Sequence, residues 1–167
     1  GAKRARNWYK FQAPTKTTTT YVDADHAGCP RTRKSTTGVI AMRGSHVISI
    51  ICVTQALVAL SSAESELYAI VRGTVESMYV AALLRFYGKE TEQIVLCDNS
   101  SAVAAAARRG AGKRLKHIEV QNYHIQRLVD SGVLTVRKVS TDKNLADILT
   151  KYLKAPLFQK LLKLLGV

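Results

Sequence analysis

The acidic residues of this chain fall where chain segments start or stop. Asp23 and Asp25 lie in YVDADHAG, residues 21–28, at the end of a β-branched and aromatic run. Glu64 and Glu66 open a long apolar-patterned stretch, Asp98 follows the apolar run IVLC, and Asp147 lies in NLADILTKYL. Ligand sites in open α/β sheets collect at the carboxyl ends of strands, so Asp23 and Asp98 become neighbours if their strands are adjacent. Like charges ~4 Å apart repel by roughly 4 kcal/mol at an effective dielectric of about 20. Such a cluster needs a counter-charge, and hard divalent cations prefer carboxylate and water oxygens. Carboxylates around two Mg²⁺ suit phosphodiester hydrolysis, one ion activating water and the other stabilising the leaving oxygen ~3.5–4 Å away.

These acids must be positioned by regular elements. TTTTYVD, 17–23, reads as a strand. GCPRTRKSTTG is turn chemistry, and VIAMRG and SHVISIICV read as a hairpin closed at Arg43-Gly44-Ser45. A long helix is expected from Ser61 or Ser62 to about Phe86, with Ser62 as its N-cap and Gly88 just past its end. IVLC, 94–97, has the unbroken apolar character of a strand buried on both faces. An alanine-rich helix follows Asp98-Asn99-Ser100 and ends near Gly110, then come a basic loop, AGKRLKH, and a helix over about 118–129. VLTVRKV alternates as a strand, Thr141 or Asp142 caps a helix NLADILTKYL, and LFQKLLKLLGV is amphipathic. The order β-β-β-α-β-α-α-β-α describes a mixed α/β sheet with helices on its faces. The expected division is a loose basic lead-in over 1–16, a domain over 17–153 and a C-terminal amphipathic helix over 154–167.

The chain has 167 residues, 25 of them Lys or Arg against 12 Asp or Glu, for a net charge of +13. That balance points to a polyanionic partner. No apolar run reaches ~18 residues, so no membrane-spanning helix is expected, and the start lacks the apolar core of a signal peptide. Cys29, Cys52 and Cys97 have no metal-ligand spacing and read as reduced thiols, in keeping with a cytosolic or nuclear rather than secreted protein.

Five segments, YVDADHAGCPRTRKSTTG, ALSSAESELYAI, LCDNSSAV, KHIEV and VSTDKNLADILTKYL, occur in this order. Together they resemble the ribonuclease H domain of Ty1/copia-type retrotransposon polyproteins from about Tyr21 to Val167. The resemblance implies a five-stranded mixed sheet in the order 3-2-1-4-5 flanked by helices. It also implies hydrolysis of the RNA strand of RNA–DNA hybrids with two Mg²⁺, for which Mn²⁺ is a possible substitute. The implied catalytic and metal-binding set is Asp23, Glu66, Asp98 and Asp147. Periodicity does not choose between Glu64 and Glu66, which lie ~200° apart on a helix; the Glu-Leu-x-Ala frame of the family, met at Glu66-Leu67-Tyr68-Ala69, selects Glu66. Glu64 then reads as a first-turn acid favourable to the helix dipole, and Asp25 as a turn residue.

Arg31, Arg33 and Lys34 after the first strand, and Arg108, Arg109, Lys113, Arg114 and Lys116 in the later basic loop, are candidates for phosphate contact. Ser35 and Thr36, with Asn99 and Ser100 beside Asp98, are candidate polar contacts to the nucleic acid. His117 and His124 lie seven residues apart on one helical face and read as core or helix-start residues. Three departures from the family stand out. VSTDKN, with Thr141, replaces a histidine-bearing loop, ISIICVTQALVAL replaces a Trp and a Lys pair, and His26 stands where relatives have Trp. The partners implied are an RNA–DNA hybrid and a reverse transcriptase in the same polyprotein, with the isolated domain a monomer, off membranes, in a cytoplasmic virus-like particle or the nucleus. Two alternatives stay open: a weakly active or non-catalytic hybrid-binding module, and a domain active only with its polymerase.

Overall fold

The structure, a computed structural model, describes residues 8–108 and 119–167. β1 (Thr17–Asp25), β2 (Thr36–Arg43) and β3 (His46–Thr54) lead into the long helix α1 (Ser62–Phe86). β4 (Glu92–Cys97), α2 (Ser100–Ala107), α3 (Glu119–Asp130) and β5 (Leu134–Lys138) follow. A 3₁₀ turn at Thr141–Lys143, the one-turn helix α4 (Asp147–Thr150) and α5 (Ala155–Leu164) complete the chain. The sheet has the expected order β3-β2-β1-β4-β5. β1, β2 and β3 pair antiparallel, and β4 joins β1 and β5 in parallel.

Strand alternation splits the core in two. Val22, Val39 and Val95 face α1 and α3, where they meet Leu67, Ile70 and Ile125. Ile40, Met42 and Val47 face the other way, toward Leu145 and the α5 residues and neighbours Leu161 and Leu165. The terminal stripe of leucines therefore docks on the sheet, with Leu161 and Leu165 buried and Leu157 packed beside them.

Several elements differ from expectation. Thr36–Gly38, read as turn, are paired strand residues of β2 opposite Asp25–Asp23. Ser61 rather than Ser62 caps α1, its hydroxyl accepting from the Glu64 N–H at 3.1 Å. The alanine-rich helix stops at Ala107. NLADILTKYL is helical only over Asp147–Thr150, and the chain is extended by Lys151. The described part of the lead-in, residues 8–16, is tied down: Gln12 donates to the Arg43 carbonyl and accepts from Ser45, and the Tyr9 hydroxyl donates to the Val47 carbonyl. By length and composition α1 is apolar enough to cross a bilayer. Here it is the core helix, with eleven buried residues that include Glu64 and Glu66. The long sequence pattern hides this because its apolar run is interrupted by acids and hydroxyls that are themselves buried.

α1 lies close on β1. A Cβ added at Gly73 would stand 2.3 Å from Val22 Cγ1, next to Asp23 in the chain. Gly73→Val is therefore expected to lower unfolding free energy by about 1–3 kcal/mol through overpacking, read as a shifted urea midpoint at unchanged slope. An unchanged midpoint would mean that α1 does not approach β1 this closely.

Candidate metal centre

β1 and β4 bring the first two acids together. Tyr21 pairs with Leu96, and two further residues on each parallel strand put Asp23 level with Asp98. Asp23 is buried in the strand, and Asp98 sits just past the end of β4. Glu66 reaches this end from α1 on one face of the sheet, beside Cys97, whose thiol donates to Glu66 Oε2 at 3.5 Å. Asp147 comes from α4 on the opposite face. Carboxylate oxygens of Asp23, Asp98 and Asp147 lie within 4.8 Å of one another, as do ligand atoms of Glu66, Cys97 and Asp98. Asp98 belongs to both groups, so the acids meet where the two sheet faces run out.

Local features explain this convergence. Gly38 pairs with Asp23, and a Cβ there would lie 3.0 Å from the Ala146 carbonyl, Leu149 Cβ and Thr150 Cγ2. A bare backbone opposite Asp23 thus lets α4 settle on the sheet. Asn144, fully buried, donates to the Val22 carbonyl at 3.0 Å and accepts from the Ala146 N–H at 3.3 Å. It ties the segment before α4 to β1 immediately before Asp23. Thr150 donates to Asp23 Oδ2, and Thr141 donates to Asp98 Oδ2 at 2.9 Å.

Lys151 enters the cluster. Its Nζ lies 2.9 Å from Asp23 Oδ1, 3.2 Å from Asp147 Oδ1 and 3.9 Å from Asp98 Oδ2. Burial works against its charge, but the hydrogen bond and charge of Asp23, with Asp147, outweigh it and hold the ammonium more firmly protonated than usual. Burial first, then the charges of Asp23 and Asp98, push the Glu66 carboxyl up to about 8. Burial and Asp23 push Asp147 up to about 7 against the pull of Lys151. Burial and Glu66 push the Cys97 thiol up as well. Asp147 Oδ2 is buried and accepts no hydrogen bond among the described residues. A buried carboxylate oxygen without a donor, in an oxygen-rich cluster that raises its own carboxyl pKa values, fits a hard divalent cation.

Glu64 does other work. Its Oε2 accepts from the Leu60 N–H at 2.9 Å and its Oε1 from the Tyr68 hydroxyl at 3.3 Å, so its carboxylate closes the start of α1. Asp25 accepts from the Thr36 N–H and lies against Gly28, holding the loop after β1.

The expected nucleic-acid contacts divide. Arg31 and Arg33 are exposed and Lys34 half-buried in the loop at the carboxyl end of β1, and Arg108 is exposed after α2. Ser100 is exposed beside the cluster and accepts from Lys138 Nζ. Ser35 is the correction: it is fully buried, and its hydroxyl accepts from the Ala27 N–H at 2.9 Å to clamp the loop. Thr36 is half-buried in β2, and the Asn99 side chain caps α2 by accepting from Ser101 and Ala102 N–H. Arg109, Lys113, Arg114, Lys116 and His117 lie outside the described residues. His124 is exposed on α3 rather than in the core. The replacement stretch ISIICVTQALVAL leaves Ile48, Ile50, Val53 and Leu57 exposed at and after the edge strand β3.

Sequence reasoning missed Lys151, Thr150, Asn144, Gly38 and Lys138. Lys138 had a readable signal, since it ends a strand as Asp98 does and pairs in register with Cys97. Lys151 had only its spacing of four from Asp147, which means one face only if the turn is helical.

No protein-family model matches the chain. It is 35% identical over 148 residues, 88% of its length, to the retrovirus-related Pol polyprotein from transposon TNT 1-94 of Nicotiana tabacum. It is 36% identical over 149 residues to the corresponding polyprotein from transposon RE1 of Arabidopsis thaliana. The chain spans about a tenth of the length of these curated relatives, 11% and 10%. Among solved structures it superposes on LC11-RNase H1, isolated from compost by a metagenomic approach, with a TM-score of 0.63 at 16% identity over 81% of this chain and 94% of that one. The N-terminal RNase H domain of a Mycobacterium tuberculosis protein gives 0.59 at 15% identity, over 89% and 98%. LC11-RNase H1 in complex with an RNA/DNA hybrid gives 0.57 at 18%, over 80% and 94%.

The raised carboxyls make stability depend on pH. Both acids keep their proton in the folded chain above their ordinary values of 4.5 and 3.8, up to about 8 for Glu66 and about 7 for Asp147. In that window the folded state binds more protons than the unfolded one, so stability falls as pH rises. Their unfavourable contribution is absent below the ordinary values and complete above pH 8. A divalent cation replaces those protons, so adding Mg²⁺ to the metal-free chain is expected to raise the melting temperature more at about pH 8 than at about pH 5. Equal rises at both would place the cation elsewhere.

Proposed function

From the premise that this chain is a ribonuclease H-fold domain homologous to part of the retrovirus-related Pol polyproteins of transposons, we propose that it is an endoribonuclease. Its substrate in this reading is the RNA strand of RNA–DNA hybrids. The observation that carries the reading is the meeting of Asp23, Glu66, Asp98 and Asp147, from separate elements, at the end of β1 and β4. Those four residues would hold two divalent cations, Mg²⁺ or Mn²⁺, which when bound supply an activated water and charge neutralisation at the leaving oxygen. Asp98, common to both groups of ligands, is fixed by the Thr141 hydroxyl, and Asp23 by Thr150.

The basic residues at the same end hold the substrate. Lys138 and Arg31 and Arg33 are exposed around the carboxyl ends of β5 and β1, suited to phosphates on the two strands of a duplex. Arg108 and the basic sequence that follows it are further candidates for phosphate contact, with no position at this end assigned to them. A net charge of +13 supplies the long-range attraction. Products carry 5′-phosphate and 3′-hydroxyl ends. A polymerase neighbour in the same polyprotein suits the exposed apolar residues of β3. Slow turnover by the isolated domain is favoured by one observation, that the group meeting Asp98 from the following loop is the hydroxyl of Thr141, a poor proton carrier.

The test is cleavage of a strand-labelled RNA–DNA hybrid with Mg²⁺ or Mn²⁺, beside single-stranded RNA, duplex RNA and duplex DNA. Cutting of the hybrid RNA alone is expected, falling by about a hundredfold or more in Asp98→Asn, in the range of lost electrostatic stabilisation. Tight hybrid binding with no cutting, with or without a polymerase domain added in trans, would reject the enzyme in favour of a binding module. Separately, Lys138→Ala is expected to weaken hybrid binding and reduce the salt slope by about 1. An unchanged slope would remove Lys138 from the interface.

A further inference from the structure

Lys151 places its charge among the carboxylates that a cation would need. Asp23 Oδ1 and Asp147 Oδ1 lie 2.9 and 3.2 Å from its Nζ, with Asp98 Oδ2 at 3.9 Å. Mg²⁺ takes oxygen ligands at about 2.0–2.1 Å in near-ideal octahedral geometry. An ammonium and a doubly charged ion held by the same carboxylates repel each other, so the ammonium at this position opposes the ion. Resting on the metal-binding reading above, we propose that Lys151 is the resident counter-ion of this cluster: its ammonium stands in for a divalent cation in the metal-free chain and leaves when one binds.

Its place in the fold suits departure. Lys151 closes α4, its N–H donating to the Asp147 carbonyl at 3.0 Å. Backbone pairing therefore holds its Cα while the side chain stays free to turn. That side chain is 36% exposed, against 0% for Asp23 and 1% for Asp147. Rotation about its flexible stem carries the charge to solvent without moving the carboxylates. A compact ammonium suits this better than a planar, forked guanidinium, which would grip two oxygens at once. Among the described residues, no other cation is seen to pair with these three acids. The consequence is a cluster preorganised without metal, at the expense of metal affinity.

The test measures Mn²⁺ binding by calorimetry for the unsubstituted chain, Lys151→Met and Lys151→Arg, with melting temperatures in chelator. Lys151→Met is expected to bind Mn²⁺ about tenfold more tightly or better, consistent with removing one competing charge, and to melt lower in chelator. Lys151→Arg should keep the weaker affinity. A merely structural lysine would weaken both properties together. A second measurement needs no variant: amine-reactive labelling of the unsubstituted chain, read by mass spectrometry, should be slow at Lys151 in chelator and several-fold faster with Mn²⁺. Binding by Lys151→Met no tighter than by the unsubstituted chain overturns the proposal while leaving the metal centre intact. Labelling indifferent to bound Mn²⁺ does the same. No Mn²⁺ binding by any form removes the metal reading and this one with it.

Discussion

Four carboxyl groups brought together at low dielectric repel one another, and the structure is arranged around containing that repulsion. Asp23 is wholly buried and Asp147 nearly so, while Asp98 keeps a little contact with solvent. Three devices act at once. Lys151 supplies positive charge, the Thr141 and Thr150 hydroxyls supply donors, and Glu66 and Asp147 hold their protons to higher pH than free acids do. Each is a partial answer, and Asp147 still keeps a buried oxygen with no donor among the described residues. A cluster left this incompletely satisfied is one that a hard cation would complete.

The fold holds the cluster by close approach. Parallel pairing of β1 and β4 puts two acids level at one end of the sheet. Gly73 admits α1 against Val22, and Gly38 admits α4 against β2. One face thereby contributes Glu66 and the other Asp147. Asn144 locks the second approach with its bond to the Val22 carbonyl. Side-chain volume at either glycine, or loss of the amide, would act on the site through distance rather than through chemistry.

Two regions of the sheet differ in surface character. Among the described residues, Arg31, Arg33 and Lys138 are exposed at the carboxyl ends of β1 and β5, the end of the sheet that carries the acids. The exposed aliphatic side chains of β3 and the segment after it sit at the opposite edge from β5. One region is suited to a polyanion and the other to a protein neighbour. This division accords with a chain that matches about a tenth of much longer polyproteins.

Much of this was legible in the residues alone. Short apolar runs ending in acids, a hairpin, a long helix and a basic balance are local properties, and they led to a mixed α/β sheet with acids at its element ends; the strand order and the choice of Asp23, Glu66, Asp98 and Asp147 were implied by the resemblance to the ribonuclease H family. Glu66 needed the family frame, because the apolar stripe does not separate it from Glu64; the structure distinguishes their surroundings by putting the Glu64 carboxylate on the Leu60 N–H. What tertiary structure alone decided is what happens between distant segments. Ser35 turns inward because Ala27 lies across its loop. Gly38 serves β2 and not a turn because α4 must lie over it. Lys151 belongs to the acids because α4 is one turn long and stops there, returning its side chain to Asp23, 128 residues away in sequence. Pattern reports what a residue's neighbours in the chain are, and a counter-charge is chosen by neighbours in space.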